Sequence, residues 1–82
     1  MNKEIAELLR ERAMVGRMTV KDKQLMLEAA DQIENGEPDA IKQIFKHLEK
    51  AIKLNEGQTP TEAYFSIINA ITEIKNKYQT EN

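Results

Sequence analysis

Pro38-Asp39-Ala40-Ile41-Lys42-Gln43-Ile44-Phe45-Lys46-His47-Leu48-Glu49-Lys50-Ala51-Ile52-Lys53-Leu54 decides the fold. Ile41, Ile44, Phe45, Leu48, Ala51 and Ile52 fall within an arc of about 120° when residues advance by about 100° each. No strand pattern with a period of two accommodates them. Proline at the first helical position opens the segment, and its fixed φ suits a helix start. The stretch reads as an amphipathic helix from about Pro38 to Leu54.

The same period appears on either side. Ile5, Leu8, Leu9 and Ala13 make one stripe of a helix from about Asn2 to Val15, with Glu4, Glu7 and Glu11 on the opposite face. Arg10, Arg12 and Arg17 gather towards its C-terminal end, where cations suit the helix dipole. Leu25, Met26, Ala29, Ala30 and Ile33 make the stripe of a helix from about Val20 to Asn35, opened by Thr19-Val20-Lys21-Asp22. Tyr64, Ile67, Ile71, Ile74 and Tyr78, widened by Ile68 and Ala70, make the stripe of a helix from about Pro60 to Tyr78. Thr59-Pro60-Thr61-Glu62 opens this last run, with threonine at the N-cap, proline next and glutamate three after the cap. Gly16, Gly36 and Gly57 stand where runs end and read as helix stops. Asn35-Gly36 is flanked by a 3.6-residue period, which makes it a helix end and not a hairpin turn. Residues Gln79 to Asn82 are expected to fray.

The expected fold is all-α, with four short amphipathic helices in one domain spanning residues 1–82. Short connections favour antiparallel neighbours, hence an up-down-up-down bundle. A less regular four-helix array or a helix-exchanged dimer is the alternative.

Composition narrows the class. The 82 residues include no cysteine, so disulfides and thiolate metal sites are excluded. The 12 basic and 14 acidic residues are nearly balanced. Residues 1–37 hold six basic and eight acidic, residues 38–82 six and six, which favours neither a strongly basic nucleic-acid binder nor an acidic mimic. No apolar run approaches the roughly 20 residues that span a bilayer. Met1-Asn2-Lys3-Glu4 leads into a charged run and not into the apolar core of a signal peptide. A cytoplasmic protein is the expectation.

Lys42, Lys46, Lys50 and Lys53 share the face of the third helix opposite its stripe. Four ammonium groups about one turn apart can track phosphates or an acidic protein. A solvated face is the plainer reading, since Glu49 interrupts the line and no aromatic interleaves it for base stacking. Leu27 lies about 120° and Phe65 about 150° from the centres of their stripes. Leu54 and Met14 are also off-stripe. Irregular packing would cover them individually, but together they point to a partner or oligomer surface.

His47 is the single histidine and falls near the edge of its stripe, so a surface or boundary position is expected. Glu4, Glu7, Glu11, Asp31 and Glu34 face away from the apolar stripes, unlike the inward acids of metal-binding bundles. No phosphate loop, nucleophile elbow or zinc-protease motif occurs. Residues 31–46 read helix–turn–helix, but the second helix opens Pro38-Asp39-Ala40-Ile41, too acidic and apolar to reach base edges. No catalytic residue, cofactor or metal is expected.

Leu8-Leu9-Arg10-Glu11-Arg12-Ala13, followed by Leu25-Met26-Leu27-Glu28-Ala29-Ala30-Asp31-Gln32-Ile33-Glu34, resembles a pattern in small phage- and prophage-encoded helical proteins. A helix ending in an arginine-alanine segment there precedes one bearing alanine-alanine-aspartate. The resemblance covers residues 5–35 and implies a small accessory protein, often one that binds a host factor.

The expected function is therefore a non-enzymatic protein-binding module, such as a phage accessory or inhibitor protein acting on a host protein. Leu27, Leu54 and Phe65 are the expected apolar anchors, with Lys42, Lys46 and Lys50 as steering charge. A second copy of the chain is an alternative partner. The alternative function is a small nucleic-acid-binding regulator that uses the lysine ridge.

Overall fold

The alternation of apolar stripes and short connections produces four helices that pack side by side. The computed structural model describes residues 2–81, with side chains through Gln79. Helix α1 is Asn2–Val15, α2 is Val20–Glu34, α3 is Pro38–Leu54 and α4 is Thr61–Glu81. A single 3₁₀ turn, Glu56–Gln58, lies between α3 and α4. Among the described residues there is no strand.

Contacts between neighbours fix the directions. Arg10 of α1 reaches Asp31 and Glu34 of α2 at 2.7 and 3.0 Å, and the Asn2 Nδ2 donates to the Gly36 carbonyl at 3.0 Å. The start of α1 therefore lies beside the end of α2. Asp22 meets Asn55, which places the start of α2 beside the end of α3. Phe45 faces Tyr78 with ring centroids 6.2 Å apart, and Glu49 meets Lys75 at 2.8 Å, so α3 and α4 are antiparallel as well. Helix α4 returns against α1 and closes an up-down-up-down ring measuring 33 × 21 × 20 Å.

The core is built from the expected stripes. Ile5, Leu9, Met26, Ile33, Ile41, Phe45, Ile52 and Ile71 are fully buried. Alanines at 6, 13, 29 and 30 let α1 and α2 approach closely, and theirs is the most extensive interface of the bundle. Leu27, expected off-stripe and wet, is half-buried against this core. The reason is geometric: α2 touches both α1 and α3, so its apolar arc is wider than one stripe.

The helix ends differ from expectation. None of the three glycines has positive φ. Helices α2 and α3 instead end at Asn35 (φ −105°) and Asn55 (φ −97°), whose neighbourhood tightens into i→i−3 bonds: Gly36 N–H to Ile33 at 3.2 Å and Asn55 N–H to Ile52 at 3.0 Å. Tightening the last turn satisfies the free carbonyls without a left-handed residue. Gly16 is needed for space, because a Cβ there would lie 2.7 Å from Met18 Cε and 2.8 Å from the Arg12 carbonyl oxygen.

Thr19 caps α2 as expected, its hydroxyl accepting from the Asp22 N–H at 3.1 Å. Thr59 is different. The first helical bond of α4 runs from Tyr64 N–H to the Pro60 carbonyl, so the helix opens one residue later than the cap pattern suggests. The Thr59 hydroxyl donates to Asp22 Oδ2 at 2.9 Å instead. Helix α4 also continues to Glu81, past the expected fraying at Gln79; Asn82 lies outside the described residues.

The Arg10 fork replaces the expected dipole role of that residue. Its hydrogen bond is the main cause that holds the Glu34 carboxyl below its ordinary value. A depressed carboxyl stabilises the fold at neutral pH, and that contribution disappears as pH falls through the folded value. Both groups are solvent-accessible, so the effect is small.

Candidate functional site

Alternating helix direction gathers residues that are far apart in sequence. The C-terminal ends of α1 and α3 and the N-terminal ends of α2 and α4 share one end of the bundle. Among the described residues five large apolar side chains are left exposed, and all five lie within the last or first two turns at that end: Met14 (67%), Val15 (70%), Val20 (73%), Leu54 (76%) and Phe65 (54%). We call this end the apolar pole. Phe65 is held edge-on against Tyr64, with centroids 5.5 Å apart and planes at 69°. Tyr64 itself is buried, and that burial, more than the nearby Glu56 charge, pushes its phenol up.

Between α1, the 16–19 loop and α4 the pole opens into a cleft of about 630 Å³. Met18, Met26 and Ile67 supply apolar lining, and Ala63, Ser66 and Ala70 line the α4 side. Small side chains fill less of the seam between two helices than large ones, and the seam stays open. Arg12 and Arg17 lie on the α1 side and Glu62 on the α4 side. A second opening of about 300 Å³ continues down the same seam, lined by Leu8, Glu11, Glu73, Ile74 and Lys77, and shares Arg12, Val15 and Ala70 with the first.

Charge follows the same division. The half of the bundle nearest the pole, residues 9–27 and 47–70, holds seven basic and five acidic residues; the other half holds five basic and nine acidic. The pole is the positive end of a dipolar molecule.

The expected site residues divide accordingly. Leu54 and Phe65 are exposed at the pole, while Leu27 packs inward. Lys42, Lys46, Lys50 and Lys53 are exposed along α3. Glu49 does not neutralise that ridge from solvent; it is drawn between helices to Lys75, where the two make an ion pair out of line for a hydrogen bond. Lys42 and Lys46 flank a small groove of about 230 Å³ beside this pair. His47 is exposed. Among the described residues no three acidic or histidine side chains are grouped as metal ligands, and no helix is long and apolar enough to cross a membrane.

The ridge makes a direct prediction. Lys42, Lys46 and Lys50 project into water, so replacing all three with glutamine will leave the fold intact. The far-UV dichroism of the triple variant will superimpose on that of the parent. A loss of helicity would show that the ridge supports α3.

No family model, curated protein or solved structure matches this chain. The geometry of the pole therefore carries the functional reading.

Proposed function

We propose that this chain is a non-enzymatic protein-binding module that acts through its apolar pole. The observation that carries the reading is the convergence of Met14, Val15, Val20, Leu54 and Phe65 on one end of the bundle. Scattered exposed apolar residues are ordinary, but their concentration at one end of the bundle, with Val15 also lining the cleft there, supports an interaction surface. Phe65 is its central anchor, because a rigid aromatic already oriented by Tyr64 buries much area at low entropic cost. Leu54 is the second anchor. Lys50 and Lys53 rim the pole from α3 and steer an acidic surface towards it, and Lys42 and Lys46 continue the same ridge along α3. The resemblance of residues 5–35 to phage-encoded accessory proteins supports a host protein as the partner and the cytoplasm as the place of action.

Phe65→Asp tests this. The side chain is more than half exposed, so the variant will keep the helicity of the parent. It will lose its partner by about 30-fold or more in affinity, the scale of a hot-spot truncation. Capture from a bacterial lysate followed by mass spectrometry, with light scattering for self-association, gives the readout. A parent that is monomeric, with Phe65→Asp and Leu54→Asp variants that retain every captured protein, would remove the proposal. A nucleic-acid regulator would instead show binding to a DNA duplex that weakens steeply with salt and is lost in the triple lysine variant.

A further inference from the structure

We infer that the cleft at the apolar pole seats an amphipathic helix of the partner, with an acidic side chain of that helix against Arg12 and Arg17. The inference rests on the protein-binding reading and names what that surface recognises.

Shape is the first ground. The two openings along the α1–α4 seam adjoin at Arg12, Val15 and Ala70, so they lie end to end along one trough between the helices. On α4 it runs from Glu62 to Lys77, which at about 1.5 Å per residue is roughly 22 Å, the length of a helix of about four turns. Two neighbouring helices present a trough that a third fills by packing ridges into grooves. The small Ala63 and Ser66 admit a backbone closely, and the half-buried Met18 adapts to the shape of an incoming apolar residue, above a floor formed by the buried Met26, Ile67 and Ala70.

Charge is the second ground. Arg12 and Arg17 have no ion-pair partner among the described residues, whereas Arg10, two residues before Arg12 and on another face of α1, is engaged by Asp31 and Glu34. Glu62 stands on the opposite wall. The upper groove is thus basic along α1 and acidic along α4. A helix lying in it is matched by an acid on its α1 flank. A concave groove with opposite charges on its walls suits a helix better than a lipid surface, which would be met by a convex apolar tip with one sign of charge.

The test is a displayed library of amphipathic helical peptides. It carries an apolar i, i+3, i+4, i+7 stripe, and its flanking positions are free to be acidic or basic. The parent chain is expected to enrich peptides with an acidic residue on one flank. The double variant Arg12→Glu, Arg17→Glu is expected to enrich a basic residue there instead. Ser66→Trp, which fills the cleft from an exposed position, is expected to lower the affinity of the parent-selected peptides at least tenfold while keeping parental dichroism. The same flank charge selected by parent and double variant would overturn the inference, and so would failure to enrich any helix. Peptides that ignore Ser66→Trp but are lost in Phe65→Asp would overturn it while leaving the pole as the interface. Binding of the parent to phosphatidylglycerol–phosphatidylcholine vesicles, unaffected by Ser66→Trp, would overturn both readings in favour of a membrane surface. A parent dimer by light scattering that Ser66→Trp dissociates would make a second copy of the chain the occupant and overturn the foreign helix.

Discussion

Replacing Asp22 with alanine will destabilise the bundle by about 2–6 kcal/mol, because it strands two buried donors that each cost about 1–3 kcal/mol when unsatisfied. Asp22 is 1% exposed in the first turn of α2. One carboxyl oxygen accepts from Asn55 Nδ2 at 3.1 Å and the other from the Thr59 hydroxyl at 2.9 Å. Asn55 and Thr59 are themselves buried. Three segments of chain meet at this one side chain: the start of α2, the end of α3 and the entry to α4. Thr59→Ala removes one donor and should cost about 1–3 kcal/mol, through the bond to Asp22 and not through a lost helix cap. Urea melts of the two single variants and the double variant will show a coupling of about 0.5–3 kcal/mol, as expected for groups in one hydrogen-bond network. Single variants that melt with the parent, or effects that simply add, would show that the cluster does not hold the helices together.

This cluster also marks where sequence reading stopped. Asp22 lies three and four residues before Leu25 and Met26, so its place on the buried stripe was legible. Its match to the position three after a threonine cap gave an adequate surface explanation, and Thr19 does cap its N–H. Its side-chain donors lie 33 and 37 residues away, and no local pattern announces them. The helices themselves were legible because a 3.6-residue apolar period, Pro38 and Thr19 all point the same way. The bounds of α1 and α3 agree with that period, and α2 stops one residue short of Asn35. The 3₁₀ turn at Glu56–Gln58 was not legible, since Gly57 reads as a stop in either conformation.

The apolar pole was half legible. Leu54, Phe65 and Met14 each stood off a stripe, but as separate anomalies on separate helices. Only the alternating direction of four helices brings them to one end with Val15 and Val20. Leu27 shows the opposite error. A helical wheel assumes one buried face, whereas a helix in a closed ring has two neighbours. The cleft was not legible at all, because it arises from what Ala63, Ser66 and Ala70 fail to fill.

Ile71→Ala will cost about 2–5 kcal/mol, against about 0.5–1.5 kcal/mol for an isoleucine-to-valine change at the same site. Ile71 is fully buried near the middle of α4, with Ile67 and Ile74 on the same face. Truncation to alanine loses the transfer energy of three carbons and leaves a cavity that helices of a packed ring cannot close without moving against two neighbours. A domain of this size holds a net stability of only about 4–12 kcal/mol, so the loss is a large fraction of the whole. Each kcal/mol shifts the melting temperature of such a domain by about 4–8 °C, so a fall of at least about 8 °C is expected. With no cysteine in the chain, no disulfide compensates. Helix α4 also forms one wall of the cleft, although Ile71 does not line it. Loosened packing of α4 in the alanine variant should therefore weaken any helix bound at the pole, while the valine variant binds as the parent does. A thermal melt of Ile71→Ala that coincides with the parent would mean that α4 is not docked through its isoleucine face, and the cleft would lose its wall.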